Sequence, residues 1–339
     1  MKILVTGGAG FIGSHTVVEL HSAGFEPVIL DNLYNSNREV LNGIKQITGK
    51  DFPFYELDCN DIEKVRALFE KEQFDGVIHF AAYKAVGESV EKPLKYYENN
   101  INSLMVLLRV MEEFKVNKFV FSSSCTVYGQ PDSLPVTEDT PRKPATSPYG
   151  NTKAIAEDII RDHVHAGPGL RAISLRYFNP IGAHETSLIG ELPNGVPSNL
   201  VPFITQTAAG LRKSLTVFGS DYDTPDGTCI RDFIHVVDLA KAHLKALLLL
   251  KDVSDENFYD VFNVGTGEGY TVLNLIRTFE EVNNLKLNYT IGPRREGDVE
   301  KIYAQSDKVN NVMKWRAEKT MAEALRDAWN WQLKLVNTL

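Results

Sequence analysis

The sequence predicts an α/β protein: a doubly wound parallel sheet followed by a smaller C-terminal α/β lobe. Three observations carry that prediction. The N-terminal half alternates short apolar runs with stretches of helical periodicity, the pattern of repeated βαβ units. The first apolar run leads straight into a glycine-rich turn that opens a helix. Beyond Pro180 the spacing becomes irregular, with shorter strands among the helices.

Taken in order, Ile3-Leu4-Val5 is a short β-rich run, as expected for a parallel strand buried on both faces. Ser14 to Ala23 has helical periodicity and stops at Gly24. Strands are expected at Pro27 to Leu30, Phe54 to Leu57, Val77 to Phe80, Lys118 to Phe121 and Arg171 to Leu175. Helices are expected at Asp61 to Phe74, Leu94 to Phe114 and Pro148 to His165. Asn60, with Glu63 three residues on, reads as the N-cap of the first of these. Pro193, Pro197 and Pro202 then mark an irregular stretch with one helix, from Asn199 to Gly210. Short strands follow at Thr216 to Phe218, Cys229 to Ile234, Phe262 to Val264 and Leu287 to Ile291. The remaining helices are expected at Val237 to Leu249, Val272 to Glu281, Ser306 to Met313 and Thr320 to Leu335. The division that results is 1–179 and 180–339, with segments near 230–262 returning to the first domain.

The composition fits a globular protein of 339 residues, 43% hydrophobic and 24% charged. A net charge of −8 gives no general attraction to nucleic acid. No apolar run approaches the roughly 18 residues that cross a bilayer, and the N-terminus leaves no room for a signal peptide. Three widely spaced cysteines, Cys59, Cys125 and Cys229, form neither a disulfide framework nor a metal-ligand cluster, so a cytoplasmic protein without a metal is expected.

In Gly7-Gly8-Ala9-Gly10-Phe11-Ile12-Gly13 the glycines at 7, 10 and 13 each answer a different need. One makes the tight turn off the strand, one lets a pyrophosphate approach, and one lets helix pack on strand. The phosphates would sit on the free N–H groups of the helix that begins near Phe11 and Ile12. Asp31 ends the next strand, where a carboxylate accepts from ribose hydroxyls and repels a 2′-phosphate, which favours NAD. The expected fold is therefore of the Rossmann type. Asp58 is placed either to meet the adenine or to cap a helix. Asn32, Asn35, Ser36 and Cys59 complete the adenosine-side candidates.

Tyr149 and Lys153 lie four apart early in a helix and so share one face. A phenol is a poor base at neutral pH. An ammonium nearby and a positive nicotinamide ring both favour the phenolate, so a lowered phenol pKa is expected. Lys153 can also hold ribose hydroxyls, and Ser124, just past the fifth strand, can hold a sugar oxygen. Together these abstract a hydroxyl proton as hydride leaves the same carbon. Phe80, Ala81 and Ser122 would flank the cofactor, and Asn99 would lie near its nicotinamide half. Lys84 would either reach a phosphate or ribose, or stay solvated.

The glycine spacing with the Ser, Tyr and Lys group resembles the extended short-chain dehydrogenase/reductase family. Over nearly the whole chain the sequence resembles the UDP-glucose 4-epimerase family in particular. The motifs are TGGAGFIGSH from Thr6, SSSCTVYG from Ser122, SPYGNTK from Ser147, LRYFNPIGAH from Leu175, RDFIHVVDLA from Arg231 and GPRREGD from Gly292. The resemblance implies reversible epimerisation of UDP-glucose and UDP-galactose at C4 of the hexose, with hydride passing to and from tightly held NAD. It places Asn179, Asn199, Leu200 and Thr216 at the UDP portion, Phe218 at the uracil, Arg231 and Arg295 at the diphosphate and Asp298 at the uridine ribose. Tyr177 and Phe178 would lie against the nicotinamide and sugar, and Ile302 would line the hexose pocket.

At the position of Ile302, some relatives carry a tyrosine that restricts them to simple hexoses, and others carry smaller residues that admit N-acetylated sugars. Isoleucine is intermediate in bulk and leaves both open. Cys125 stands where relatives often carry alanine. A homodimer through the helices near 94–114 and 148–166 is implied by the resemblance alone. The alternatives are a nucleotide-sugar 4,6-dehydratase, a UDP-glucuronate decarboxylase or a non-enzymatic NAD-binding protein. Against the dehydratase, Ser124-Cys125-Thr126 lacks the carboxylate pair that expels a C6 hydroxyl.

Overall fold

A computed structural model describes residues 1–295 and 298–338; Glu296 and Gly297 of the GPRREGD run lie outside the described residues. The first half runs β1 (Lys2–Thr6), α1 (Phe11–Ser22), β2 (Glu26–Asp31), α2 (Glu39–Thr48), β3 (Phe54–Glu56), α3 (Ile62–Glu72) and β4 (Gly76–His79). It continues with α4 (Val86–Glu91), α5 (Pro93–Glu113), β5 (Lys118–Ser122), α6 (Pro148–His165) and β6 (Arg171–Tyr177). The second half begins with β7 (Asn179–Ile181), α7 (Leu200–Ala208), β8 (Leu215–Phe218), β9 (Ile230–Arg231), β10 (Phe233–His235) and α8 (Val236–Asp252). Last come β11 (Phe258–Val264), β12 (Tyr270–Thr271), α9 (Val272–Asn283), β13 (Tyr289–Gly292), β14 (Lys301–Ile302), α10 (Asp307–Val312) and α11 (Met321–Thr338).

The main sheet has the order β3-β2-β1-β4-β5-β6-β11, and every neighbouring pair is parallel. Successive side chains of a strand point to opposite faces. Ile3, Val5, Ile78, Val120 and Ile173 pack with α1, α2 and α8 on one side. Leu4, Val77, Phe119 and Ala172 pack with α3, α5 and α6 on the other. Both faces are buried, which is why these strands read as unbroken apolar runs. The chain moves outward through β2 and β3, then returns to place β4 on the other side of β1. That reversal opens a crevice at the C-terminal ends of β1 and β4.

The smaller elements form separate short sheets: β13 with β8, β10 with β7, and β9 between β12 and β14. Ile204, Val217, Phe233, Ile276, Phe279 and Leu325 join α7, α9 and α11 in a second core. β10 leads directly into α8, which packs against α1. No described helix is long and apolar enough to cross a membrane.

Several expectations change. Asp61, and not Asn60, caps α3: its side chain accepts from Lys64 N, while Asn60 reaches across to Asn99 and Asn102. The strand expected from Cys229 to Ile234 is two strands, broken at Asp232, whose buried carboxylate takes up bonds from other loops. β11 begins at Phe258, four residues earlier than expected, because its first half is only partly buried and carries Asp260. α2 was not foreseen because Gly43 interrupts its pattern. A β-carbon there would stand 2.2 Å from Leu188 O, so the gap is needed for packing.

Candidate active site

Residues 6–13 cross the crevice. Gly7 has φ +69° and donates its N–H to Leu30 O at 2.7 Å. A β-carbon on Gly7 would meet Ala81 N at 2.8 Å, and one on Gly13 would meet Gly7 O at 2.2 Å. Both glycines are therefore held by packing. A β-carbon on Gly10 would find only Gly7 O, at 3.1 Å, so its other side is open. Gly10 is also the N-cap of α1 and supplies no side-chain acceptor. Helix geometry leaves the first N–H groups at Phe11, Ile12 and Gly13 without an intrahelical partner. An open glycine edge before free donors fits the pyrophosphate of NAD.

Asp31 is 7% exposed at the end of β2. Its carboxylate accepts from Ala9 N at 3.0 Å, Leu33 N at 2.9 Å and Ser36 Oγ at 2.8 Å. Burial pushes the carboxyl up, and these bonds work against that shift. Asp31 thus ties the glycine turn to the 33–36 loop, with acceptor capacity left for a ribose. Asp58 accepts from Asn60 N and Nδ2 at 2.8 Å each and from Asn32 Nδ2 at 3.4 Å, while Cys59 is buried behind it. Asn35 is exposed on the loop rim. Asn99 joins this group by accepting from Asn60. Phe80 packs on His243 with ring centroids 4.6 Å apart. Lys84 is held in an ion pair with Glu191 at 3.1 Å, and Asn199, the N-cap of α7 just before Leu200, donates to the same carboxylate oxygen at 2.5 Å.

Beside the crevice, α6 starts with Pro148 at its first turn and Ser147 as N-cap. This sets Tyr149 and Lys153 on the face toward β5. Lys153 Nζ donates to Ser122 O at 2.7 Å and lies 6.0 Å from the centre of the Tyr149 ring. Ser122 Oγ pairs with the Tyr177 hydroxyl at 2.6 Å. Both charged forms are costly here: burial pushes the Lys153 ammonium down to about 7 and the Tyr149 phenol up. Ser124 works against the rise at Tyr149. The lowered phenol pKa expected from Lys153 is thus not produced by the protein groups alone, because desolvation outweighs a lysine engaged with a carbonyl.

On the far side, β14 pairs with β9 so that Ile302 stands opposite Arg231. Arg295 Nη2 donates to Asp298 Oδ1 at 2.7 Å, and Arg231 Nη2 approaches the same oxygen at 4.0 Å. Asp298 therefore gathers both arginines. The Arg295 guanidinium lies over the Phe218 ring at 5.6 Å, and Phe218 and Thr216 point outward from β8. Ile302 packs with Cys125, Val127 and Phe178, and the Cys125 thiol is pushed up to about 12 by burial. Asn179 begins β7 and donates its N–H to Asp232 O at 3.0 Å.

Sequence reading missed three buried or nearly buried carboxylates that organise these groups. Glu191 bridges Lys84 and Asn199. Asp232 accepts from Thr266, Gly267 and Ala304. Glu157 pairs with Arg176. The signal available for Asp232 was an acid inside an otherwise apolar run; for Glu157 it was its place four residues past Lys153.

A crevice for a dinucleotide beside a tyrosine, lysine and serine group defines a class, and comparison with known proteins agrees. The family model described as "NAD dependent epimerase/dehydratase family" matches residues 3–265, and the chain belongs to that family. The UDP-glucose 4-epimerase of Bacillus subtilis (strain 168) is 50% identical over 337 residues, 99% of this chain and 98% of the relative. The UDP-glucose-4-epimerase of Stenotrophomonas maltophila, solved with bound NAD and formylated UDP-arabinopyranose, is 44% identical, with a TM-score of 0.96 and complete coverage of both chains. The UDP-glucose 4-epimerase of Bifidobacterium longum, in complex with NAD+ and UDP, is 46% identical, with a TM-score of 0.95 over both complete chains.

Proposed function

We propose that this chain is an NAD-dependent isomerase that interconverts UDP-glucose and UDP-galactose by inverting C4 of the hexose. The observation that carries this is the placement of Tyr149, Lys153 and Ser124 beside the glycine turn, in a chain similar at full length to UDP-glucose 4-epimerases. When bound, oxidised NAD supplies a hydride acceptor and a positive ring near the phenol. Tyr149 takes the proton from the 4-hydroxyl as the hydride leaves C4, and returns it at the end. Ser124 holds the sugar oxygen, and Lys153 holds the cofactor ribose from its seat on Ser122 O.

The 4-ketopyranose must turn over inside the cleft without escaping. Grip therefore belongs on the UDP portion, where a contact costs the turning step nothing. Arg231 and Arg295 provide it for the diphosphate, with Asp298 on the ribose and Phe218 on the uracil. The guanidinium groups suit this because each presents paired donors to phosphate oxygens. Asn179, Asn199, Leu200 and Thr216 complete the UDP site. Phe178, Cys125 and Ile302 form an apolar wall for the hexose. We divide the chain accordingly into a cofactor domain, 1–179, and a substrate lobe, 180–339, with return segments near 230–262.

A dehydratase reading needs an acid/base partner beside Ser124. Cys125 stands there, and a buried thiol at about 12 does not serve. Likeness to the family alone carries a homodimer through α5 and α6, which sedimentation at micromolar concentration tests. The cytoplasmic placement draws support from three free, buried cysteines. The functional test is incubation of purified protein with UDP-galactose and no added cofactor. UDP-glucose is expected to form without net NADH. Stoichiometric oxidation, or no turnover even with NAD supplied, contradicts the proposal.

A further inference from the structure

Ser122, Ser123 and Ser124 are consecutive, yet each side chain turns to a different partner. Ser122 pairs with Tyr177 at 2.6 Å, and Ser124 Oγ accepts from Thr126 N at 3.2 Å while working against the rise of the Tyr149 phenol. Between them, Ser123 Oγ donates to Glu157 Oε1 at 2.6 Å. Glu157 lies four residues beyond Lys153 and eight beyond Tyr149, so all three share one face of α6. Its carboxylate also accepts from Arg176 on β6, Nε to Oε1 at 2.9 Å and Nη2 to Oε2 at 2.6 Å. Glu157 and Arg176 are 2% and 5% exposed. A buried pair of this kind contributes little stability over apolar residues of the same volume. Stability alone therefore gives a weak reason for placing one behind the catalytic group.

We infer that Glu157 is a positioning residue for the C4 chemistry, its carboxylate seating the Ser123–Ser124 backbone against α6 and holding a negative charge one helical turn from the Lys153 ammonium. The inference rests on the functional reading above, in which Tyr149 and Lys153 carry the reaction. Ser123 is the mechanical link: its hydroxyl is fixed by Glu157, and the next residue places the hydroxyl that meets Tyr149. The electrostatic link runs the same way. Burial drives the Lys153 ammonium toward neutrality, and Glu157 is the charge that opposes this. The groups facing Glu157 are Lys153 on its own helix, Arg176 on β6, Arg142 at 3.7 Å from the segment before α6, and Tyr259 on β11. Those facing Lys153 are Tyr149, Glu157 and His79 on β4, and burial holds His79 neutral.

The two links separate experimentally through the pH–rate profile of kcat, measured on the holoprotein with UDP-galactose. Ser123→Ala removes the hydrogen bond and leaves every charge. It is expected to lower kcat about tenfold with KM, cofactor content and the limbs of the profile unchanged. Glu157→Gln removes the negative charge that favours the ammonium and keeps an amide oxygen for Ser123. Lys153 then loses its proton more easily, and the alkaline limb moves down by about one pH unit. An alkaline limb that stays in place overturns the electrostatic role, and a Ser123→Ala variant with unchanged kcat overturns the seating role. Should Glu157→Gln fail to fold by circular dichroism, Glu157→Asp, which draws the charge back by one methylene, is read on the same profile and decides the electrostatic role. A wild-type protein with no epimerase activity overturns the functional reading itself, before any variant is compared.

Discussion

Burial raises the Tyr149 phenol, and Ser124 is the neighbour that acts the other way. A base in this setting works only when a further positive charge stands beside it, which couples proton removal to the presence of oxidised cofactor. Tyr149→Phe removes one oxygen from a side chain that is 8% exposed, so the fold and the cofactor site should persist. Turnover is expected to fall by about 10²–10⁴-fold, the usual contribution of a positioned acid or base, with NAD content unchanged. A variant that kept most of its turnover would remove Tyr149 from the chemistry. Tyr149, Lys153 and Asp31 were legible in the sequence because a four-residue spacing and a strand end are local features. Glu157, Glu191 and Asp232 were not. Their partners lie 19 residues away at Arg176, 107 at Lys84 and 34 at Thr266, and only the fold brings them into contact.

Within the strand–turn–helix element, Gly13 and Gly10 make separable predictions. Gly13→Ala puts a β-carbon 2.2 Å from Gly7 O, a backbone atom that cannot move without opening the turn. A loss of roughly 1–3 kcal/mol in unfolding free energy is expected, with release of cofactor. Gly10→Ala meets a single atom at 3.1 Å, so the fold should hold while retained NAD falls, because the added methyl faces the pyrophosphate. Denaturant unfolding and cofactor content of the two purified variants check this. Equal stability losses in both would show that Gly10 is also a packing position. Most helices and strands of the first half were legible, the strands as unbroken apolar runs and the helices by one apolar stripe; the short α4 was not. α2 and the first half of β11 were not, since Gly43 and Asp260 answer to contacts with distant segments or to an edge position.

At the scale of the molecule, the parallel sheet follows from the alternation of elements and was legible; the reversal between β1 and β4 emerges only from the strand order. The short sheets of the second half were less legible, because two-residue strands such as β9, β12 and β14 carry no period. The packed fold also holds three histidines, His15, His79 and His243, neutral in the core. Burial lowers them to about 3, 3 and 4. The unfolded chain binds protons at these sites from about pH 6.5 downward, and the folded chain does not. Their contribution to stability is therefore complete above pH 6.5 and is lost as the pH falls toward 4. Each is worth up to about 1.4 kcal/mol per pH unit, so unfolding free energy should drop by about 4 kcal/mol between pH 7.5 and 5.5. Buried carboxyls with raised values, Asp31 and Asp232 among them, act in the opposite direction at lower pH. Urea unfolding at the two pH values tests this, and equal stabilities would contradict it.

In the proposed reaction, hydride leaves C4 and returns to C4 of the same sugar within one cleft. UDP-galactose carrying deuterium at C4 tests this directly, with product analysed by NMR after turnover in ordinary water. UDP-glucose is expected to form with the deuterium retained at C4. Replacement of the label by hydrogen from solvent would contradict it.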